Sequence, residues 1–176
     1  MSSQQQSIPV GGAVAAAVKR THPAAWLWLS LVVIALDQAT KFLATRFLDL
    51  YERVEVLPVL DFTLLHNTGA AFSMLAGAGG WQRWFFIVLG SVVSVMLVTW
   101  IWRSPRGGKL LPLALAMILG GALGNVVDRV LHGYVIDFIH AHWGEAYFPA
   151  FNVADSAITV GAALLIVDAF REKRQP

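Results

Sequence analysis

The stretch FNVADSAITVGAALLIVDAF, residues 151–170, is long and apolar enough to cross a bilayer, yet it carries Asp155 near its start and Asp168 near its end. About twenty apolar residues in a helix cover ~30 Å of hydrocarbon. A charged side chain inside that span costs at least ~2.5–3.5 kcal/mol, so a carboxylate there either performs chemistry or is well paired. Which of the two applies depends on the polar residues that topology puts at the same depth.

Three more runs have the same character, about Ala24 to Phe47, Trp81 to Trp102 and Leu110 to Leu131, with the fourth spanning about Asn152 to Phe170. In a chain of 176 residues that is 57% hydrophobic and 14% charged, they predict a mainly α integral membrane protein with four transmembrane helices. Residues 1–22 read as a disordered cytoplasmic tail, 23–171 as a single four-helix domain and 172–176 as a second cytoplasmic tail. AVAAAV, before the first span, lacks the charged and apolar regions that precede a signal cleavage site, so that span is expected to stay as an anchor. A net charge of +2 gives no reason to expect nucleic acid, and the lack of any cysteine removes disulfides, thiol nucleophiles and cysteine metal sites.

Lys19 and Arg20 precede span one, Arg103, Arg106 and Lys109 link spans two and three, and Arg171, Lys173 and Arg174 follow span four. Basic flanks stay in the cytoplasm, so both termini are expected there and residues 48–80 and 132–151 on the outer side. The outer segment VEVLPVLDFTLL, with its partial alternation, predicts a small sheet whose first strand Pro58 confines to an edge. HNTGAAFSML, residues 66–75, pairs a turn signal with an apolar run too short to span, and predicts an interfacial helix or re-entrant piece. GYVIDFIHAHWGEAYFPAF offers another strand to a surface cradle.

Direction turns scattered polar residues into a depth map. Asp37, Gln38 and Lys41 fall in the outer half of span one, Asn125, Asp128 and Arg129 at the outer end of span three, and Asn152 and Asp155 at the outer start of span four. Asn67 and Asp137 join them from the loops, while Asp168 exits on the cytoplasmic side beside Arg171. Each has a structural reading. Asp37 and Lys41, four apart, can neutralise each other; Asn152 and Asp155 have the spacing of a capping box; Asp128 can pair with Arg129. Gly120-x-x-x-Gly124 and Ala157-x-x-x-Gly161 suit close helix packing. Four aspartates near one interface without matching cations should nevertheless repel, raising at least one pKa, as in sites where one carboxyl is acid and its neighbour base. His140-x-His142 is a weak metal signal without a H-E-x-x-H helix, and no serine sits in G-x-S-x-G. A proton-coupled channel or small transporter would need polar groups through the whole depth, and the inner halves of spans two to four are almost wholly apolar; a purely structural adaptor leaves the aspartates unexplained.

LDQATKF (Leu36–Phe42), HNTGAAFS (His66–Ser73), GGALGNVVDRV (Gly120–Val130), GYVIDF (Gly133–Phe138) and FNVADSAITVG (Phe151–Gly161), in this order, resemble the bacterial lipoprotein signal peptidases, or signal peptidase II. The resemblance implies an aspartyl endopeptidase of the bacterial inner membrane, with its site near the periplasmic face, cutting prolipoproteins just before their diacylglyceryl-modified cysteine. It implies Asp137 and Asp155 as the catalytic pair, and Asn125, Asp128, Arg129 and Asn152 as supporting or substrate-contacting groups. Asp37, Lys41, Asn67 and Gly69 lie in matching blocks. No cofactor or metal is implied; membrane lipids and globomycin-type inhibitors are the implied partners besides substrate, and a monomer is expected.

Overall fold

The computed structural model describes residues 22–69, 79–105 and 108–172. A single 3-10 turn, Pro23–Trp26, leads into α1 (Leu27–Phe47); α2 (Trp81–Arg103), α3 (Leu110–Leu131) and α4 (Val153–Glu172) complete the helices. All four are long and apolar enough to cross a membrane. Their bounds agree with the four hydrophobic runs because all-round apolarity is a strong signal over this length.

α3 is the central helix, packing on α1, α2 and α4. Its sequence LGGALG explains why. A Cβ on Gly120 would lie 2.6 Å from that of Val33 in α1, and one on Gly121 would collide with the Ala154 carbonyl of α4. On α4, a Cβ at Gly161 would come within 2.8 Å of the Ala114 carbonyl. Where lipid supplies no hydrophobic drive between helices, such backbone approach and the dispersion contacts it permits hold the bundle. Leu97 and Ile101 of α2 pack with Leu115, Ala116 and Leu119 of α3 into an apolar core in the half of the bundle that holds the α2–α3 link. Many remaining large apolar side chains, among them Val88, Val95 and Met96 of α2, face outward, as lipid-facing residues do.

At the other end lies a four-stranded antiparallel sheet, in the order β1 (Arg53–Leu57), β2 (Leu60–Asn67), β3 (Val135–Trp143) and β4 (Ala146–Tyr147). β1 is an edge strand, and Pro58 sits with Val59 in the turn to β2, where its missing N–H costs no ladder bond. Of the expected interfacial segment 66–75, His66 and Asn67 end β2 instead, and residues 70–75 lie outside the described residues, as do most of the two expected tails, at 1–21 and 173–176.

Two connections decide what this end can do. α3 turns into β3 through Gly133, whose φ of +88° suits a residue without a Cβ. Phe151, just before α4, exchanges backbone hydrogen bonds of 2.9 Å with Ile139 and accepts a third from the Phe138 amide at 3.1 Å. The start of α4 is thus tied to the middle of β3, and Asp137 is brought beside Asn152 and Asp155.

Candidate active site

Asn152 caps α4. Its Oδ1 accepts from the Asp155 amide at 2.9 Å, and its own amide donates back to Asp155 Oδ2 at 3.3 Å. This is the capping box read from the spacing, so the structural role is real. It leaves Asp155 Oδ1 over, and that atom accepts from Asn125 Nδ2 at 2.8 Å. Asp137, buried on β3, accepts at one oxygen from Asn152 Nδ2 at 2.8 Å and at the other from Asn67 Nδ2 at 3.0 Å.

Each asparagine faces the carboxylates with its NH2 because a group that can only donate occupies its oxygen. The Gly69 amide donates to Asn67 Oδ1 at 3.0 Å, the Asp155 amide to Asn152 Oδ1, and Lys41 Nζ to Asn125 Oδ1 at 3.0 Å. The amide orientations follow from these partners.

Lys41 is fully buried. Besides Asn125 it meets Asp37 Oδ2 and Asp128 Oδ2, each at 2.8 Å. Asp37 also accepts from the Ala154 amide at 2.9 Å, satisfying an orphan donor in the first turn of α4. Asp128 accepts from Gln38 Nε2 at 2.8 Å and from the Ile136 amide at 3.1 Å. Two corrections follow. Asp128 does not pair with Arg129, since consecutive helical residues point about 100° apart and Lys41 takes Asp128 instead. Nor do four aspartates crowd together: two turn to Lys41, and Asp137 and Asp155 remain.

These two line a cavity of about 1080 Å³ with Asn67, Asn125 and Arg129, bounded elsewhere by Tyr147, Phe148, Phe151 and the Ile158–Val160 face of α4. Burial, and then the neighbouring Asp155 charge, push the Asp137 carboxyl up to about 7, against the opposing pull of Asn67, Lys41 and Asn152. Arg129 donates to the Asn125 carbonyl at 3.3 Å and the Gly69 carbonyl at 2.9 Å, while its Nε is buried with no hydrogen-bond partner among the described residues.

Of the ten residues singled out in the sequence, five thus reach the cavity wall; Asn152, Lys41, Asp37 and Asp128 stand behind it, and Gly69 joins through its backbone. Gln38, which bridges Asp37 and Asp128, was legible only as a polar residue at the right depth. His66 and His140 also line the cavity without having been assigned to it, and burial is the main cause lowering the pKa of each. The rings of His140 and His142 both pack at 4.8 Å from the Tyr147 ring. Among the described residues no three His, Asp or Glu side chains gather closely enough to hold a metal ion.

The family model for signal peptidase (SPase) II matches residues 29–171, which contain every residue of this network. The chain belongs to that family. It is therefore a protease, and its four spans make it a multi-pass bacterial membrane protein. A protein named lipoprotein signal peptidase from Acinetobacter baumannii (strain ATCC 17978) is 54% identical over 156 residues, covering 88% of this chain and 89% of its own. One of the same name from Alteromonas mediterranea is 54% identical over 146 residues, covering 83% and 80%. A solved structure described as "Bacterial membrane enzyme structure by the in meso method at 2.3 A resolution" superposes on the peptidase with a TM-score of 0.79. It is 30% identical and covers 89% of this chain and 93% of its own.

Proposed function

We propose that this signal peptidase II is an aspartic endopeptidase that removes signal peptides from prolipoproteins by cutting just before a diacylglyceryl-modified cysteine. The observation that carries the reading is the pair Asp137 and Asp155, on one cavity wall, each held by asparagine N–H donors that leave further lone pairs free. A water between the carboxyls attacks the scissile carbonyl carbon. Asp155, ringed by donors at the start of α4, takes the water's proton, while Asp137, the holder of the shared proton, donates to the carbonyl oxygen. Collapse of the tetrahedral adduct breaks the C–N bond, the amine leaves with the proton that Asp155 received, and a hydroxyl of the adduct returns its proton to Asp137 as the new carboxyl group forms.

Arg129 handles the substrate: it lines the cavity, and its planar guanidinium keeps N–H donors for a backbone carbonyl or a lipid head. The apolar α4 face and the aromatic rim suit a substrate with a lipid chain on one side of the cut and a signal helix on the other. One chain supplies both carboxyls, so a monomer suffices in the inner membrane; membrane lipids surround it, and globomycin-type inhibitors would set a hydroxyl between the aspartates.

A gel-shift assay on a lipidated prolipoprotein tests the dyad. Asp137→Asn and Asp155→Asn each abolish cleavage while leaving a folded protein that binds substrate, and Asp168→Asn is nearly silent. Substantial turnover by either single variant would redirect the search to Asp128 and Asp37.

A further inference from the structure

Arg83 lies in the first turn of α2, where a cation opposes the helix's own dipole, and no other charge follows until Arg103. A guanidinium at the edge of a membrane span is costly unless its donors are engaged. They are engaged on the neighbouring helix. Nε donates to the Arg129 carbonyl at 2.8 Å and Nη2 to the Val130 carbonyl at 2.9 Å, both in the last turn of α3, where a cation favours the dipole. One turn along α2, the ring of Phe86 lies 4.8 Å from Arg129 Cζ. α2 thus holds Arg129 twice, by its backbone through Arg83 and by its guanidinium face through Phe86. The Asn125 and Gly69 carbonyls each engage one N–H, of Nη1 and Nη2, so each of these nitrogens keeps a second N–H at the cavity wall.

We infer that Arg83 and Phe86 are positioning residues for the reaction, fixing the Arg129 guanidinium at the cavity wall so that its remaining N–H donors meet the substrate. This rests on the substrate-handling role given to Arg129 above. It assigns a part in the site to α2, which otherwise supplies no side chain to the cavity wall among the described residues.

Cleavage kinetics of the full-length peptidase on a lipidated prolipoprotein test it, with Arg83→Ala, Arg83→Lys, Phe86→Leu, Arg129→Lys and the doubles of each α2 variant with Arg129→Lys. Arg83→Ala is expected to raise KM about ten-fold with kcat changed less than about two-fold, and Arg83→Lys to recover part of the loss. Phe86→Leu, which keeps bulk but removes the ring face, raises KM about three-fold. Because both act through Arg129, each double should be no worse than Arg129→Lys alone, within about two-fold. A purely structural role would lower the yield of folded enzyme, leave KM unchanged and multiply with Arg129→Lys. Either unchanged KM or multiplied losses overturns the inference while leaving the role of Arg129 standing. Full activity of Arg129→Lys alone removes that role and the inference with it. Should Arg83→Ala fail to fold, Phe86→Leu and its double decide by the same criterion.

Discussion

Lys41 directs its three N–H donors to Asp37, Asp128 and Asn125, so a single buried ammonium bridges two carboxylates and orients the amide that faces a third. Lys41→Met keeps the apolar stem but strands both carboxylates, and breaking a buried ion set in this way costs about 3–5 kcal/mol. Thermal unfolding in detergent should show that loss. Adding Asp37→Asn and Asp128→Asn should restore much of the stability but not the cleavage rate, because the ammonium is gone and only the longer, 3.3 Å bond from Asn152 Nδ2 then holds Asn125 Oδ1 away from Asp155. Asp137 makes the opposite kind of contribution. Its native pKa of about 7 stands above the ordinary 3.8, so between those values the folded state keeps a proton that the unfolded chain has lost. Stability therefore falls as pH rises through this window, and the penalty is complete above about 7. Asp137→Asn should unfold at a higher temperature than the parent, with an advantage that grows from about pH 4 to 7 and then levels off. An advantage independent of pH would place the titration elsewhere. The sequence disclosed the Asp37–Lys41 pair and the Asn152–Asp155 cap because both follow helical spacing. It hid the Lys41–Asp128 pair, since no spacing rule connects residues on different helices.

At the scale of elements, the spans were legible and the sheet register was not. Twenty apolar residues leave little choice, whereas β1 and β2 slip between Glu55 and Leu57, and β2 and β3 between Phe62 and Leu65, irregularities that alternation cannot announce. Arg83 was equally silent, because its partners are backbone carbonyls of a helix distant in sequence. The small residues of α3 and α4 were readable as packing sites, and their positions allow a graded test. Gly121 meets Ala154, one residue before Asp155, while Gly161 meets Ala114 and Ile118, far along the bundle from the dyad. Alanine at either position forces the helices apart, and overpacking of this kind costs roughly 1–3 kcal/mol. Both Gly121→Ala and Gly161→Ala should lower the unfolding temperature. Only Gly121→Ala should also lower the cleavage rate by ten-fold or more, since a 1 Å misplacement of a reacting group costs about 10²-fold. Equal losses of activity in the two variants would show that the α3–α4 contact supports the site only through general stability.

For the whole molecule, the apolar core and the polar network occupy opposite halves of the bundle. Arg103 and Lys109 lie at the end of the core, with Arg171 at the corresponding end of α4, whereas Asp137 and Asp155 lie at the end of the sheet. Positive flanks are retained in the cytoplasm, so the sheet and its cavity should face the periplasm and both termini the cytoplasm. That arrangement suits a substrate whose signal helix stays in the membrane while its mature part has crossed. A fluorescent protein fused after Pro176 should fold and fluoresce, since such reporters mature in the cytoplasm, and alkaline phosphatase fused there should be inactive. Alkaline phosphatase inserted at Gly144, in the exposed turn between β3 and β4, should be active, because that turn would lie outside. Neutralising Arg103, Arg106 and Lys109 together should weaken the preference and yield a mixed population, because the link between α2 and α3 is short and its charges weigh heavily on orientation. A fluorescent C-terminus combined with an inactive Gly144 insertion would place both in the cytoplasm, which α4, running between them, forbids if it spans. An active phosphatase after Pro176 would invert the bundle, put the dyad on the cytoplasmic face and require a substrate that is cut before its mature part crosses the membrane.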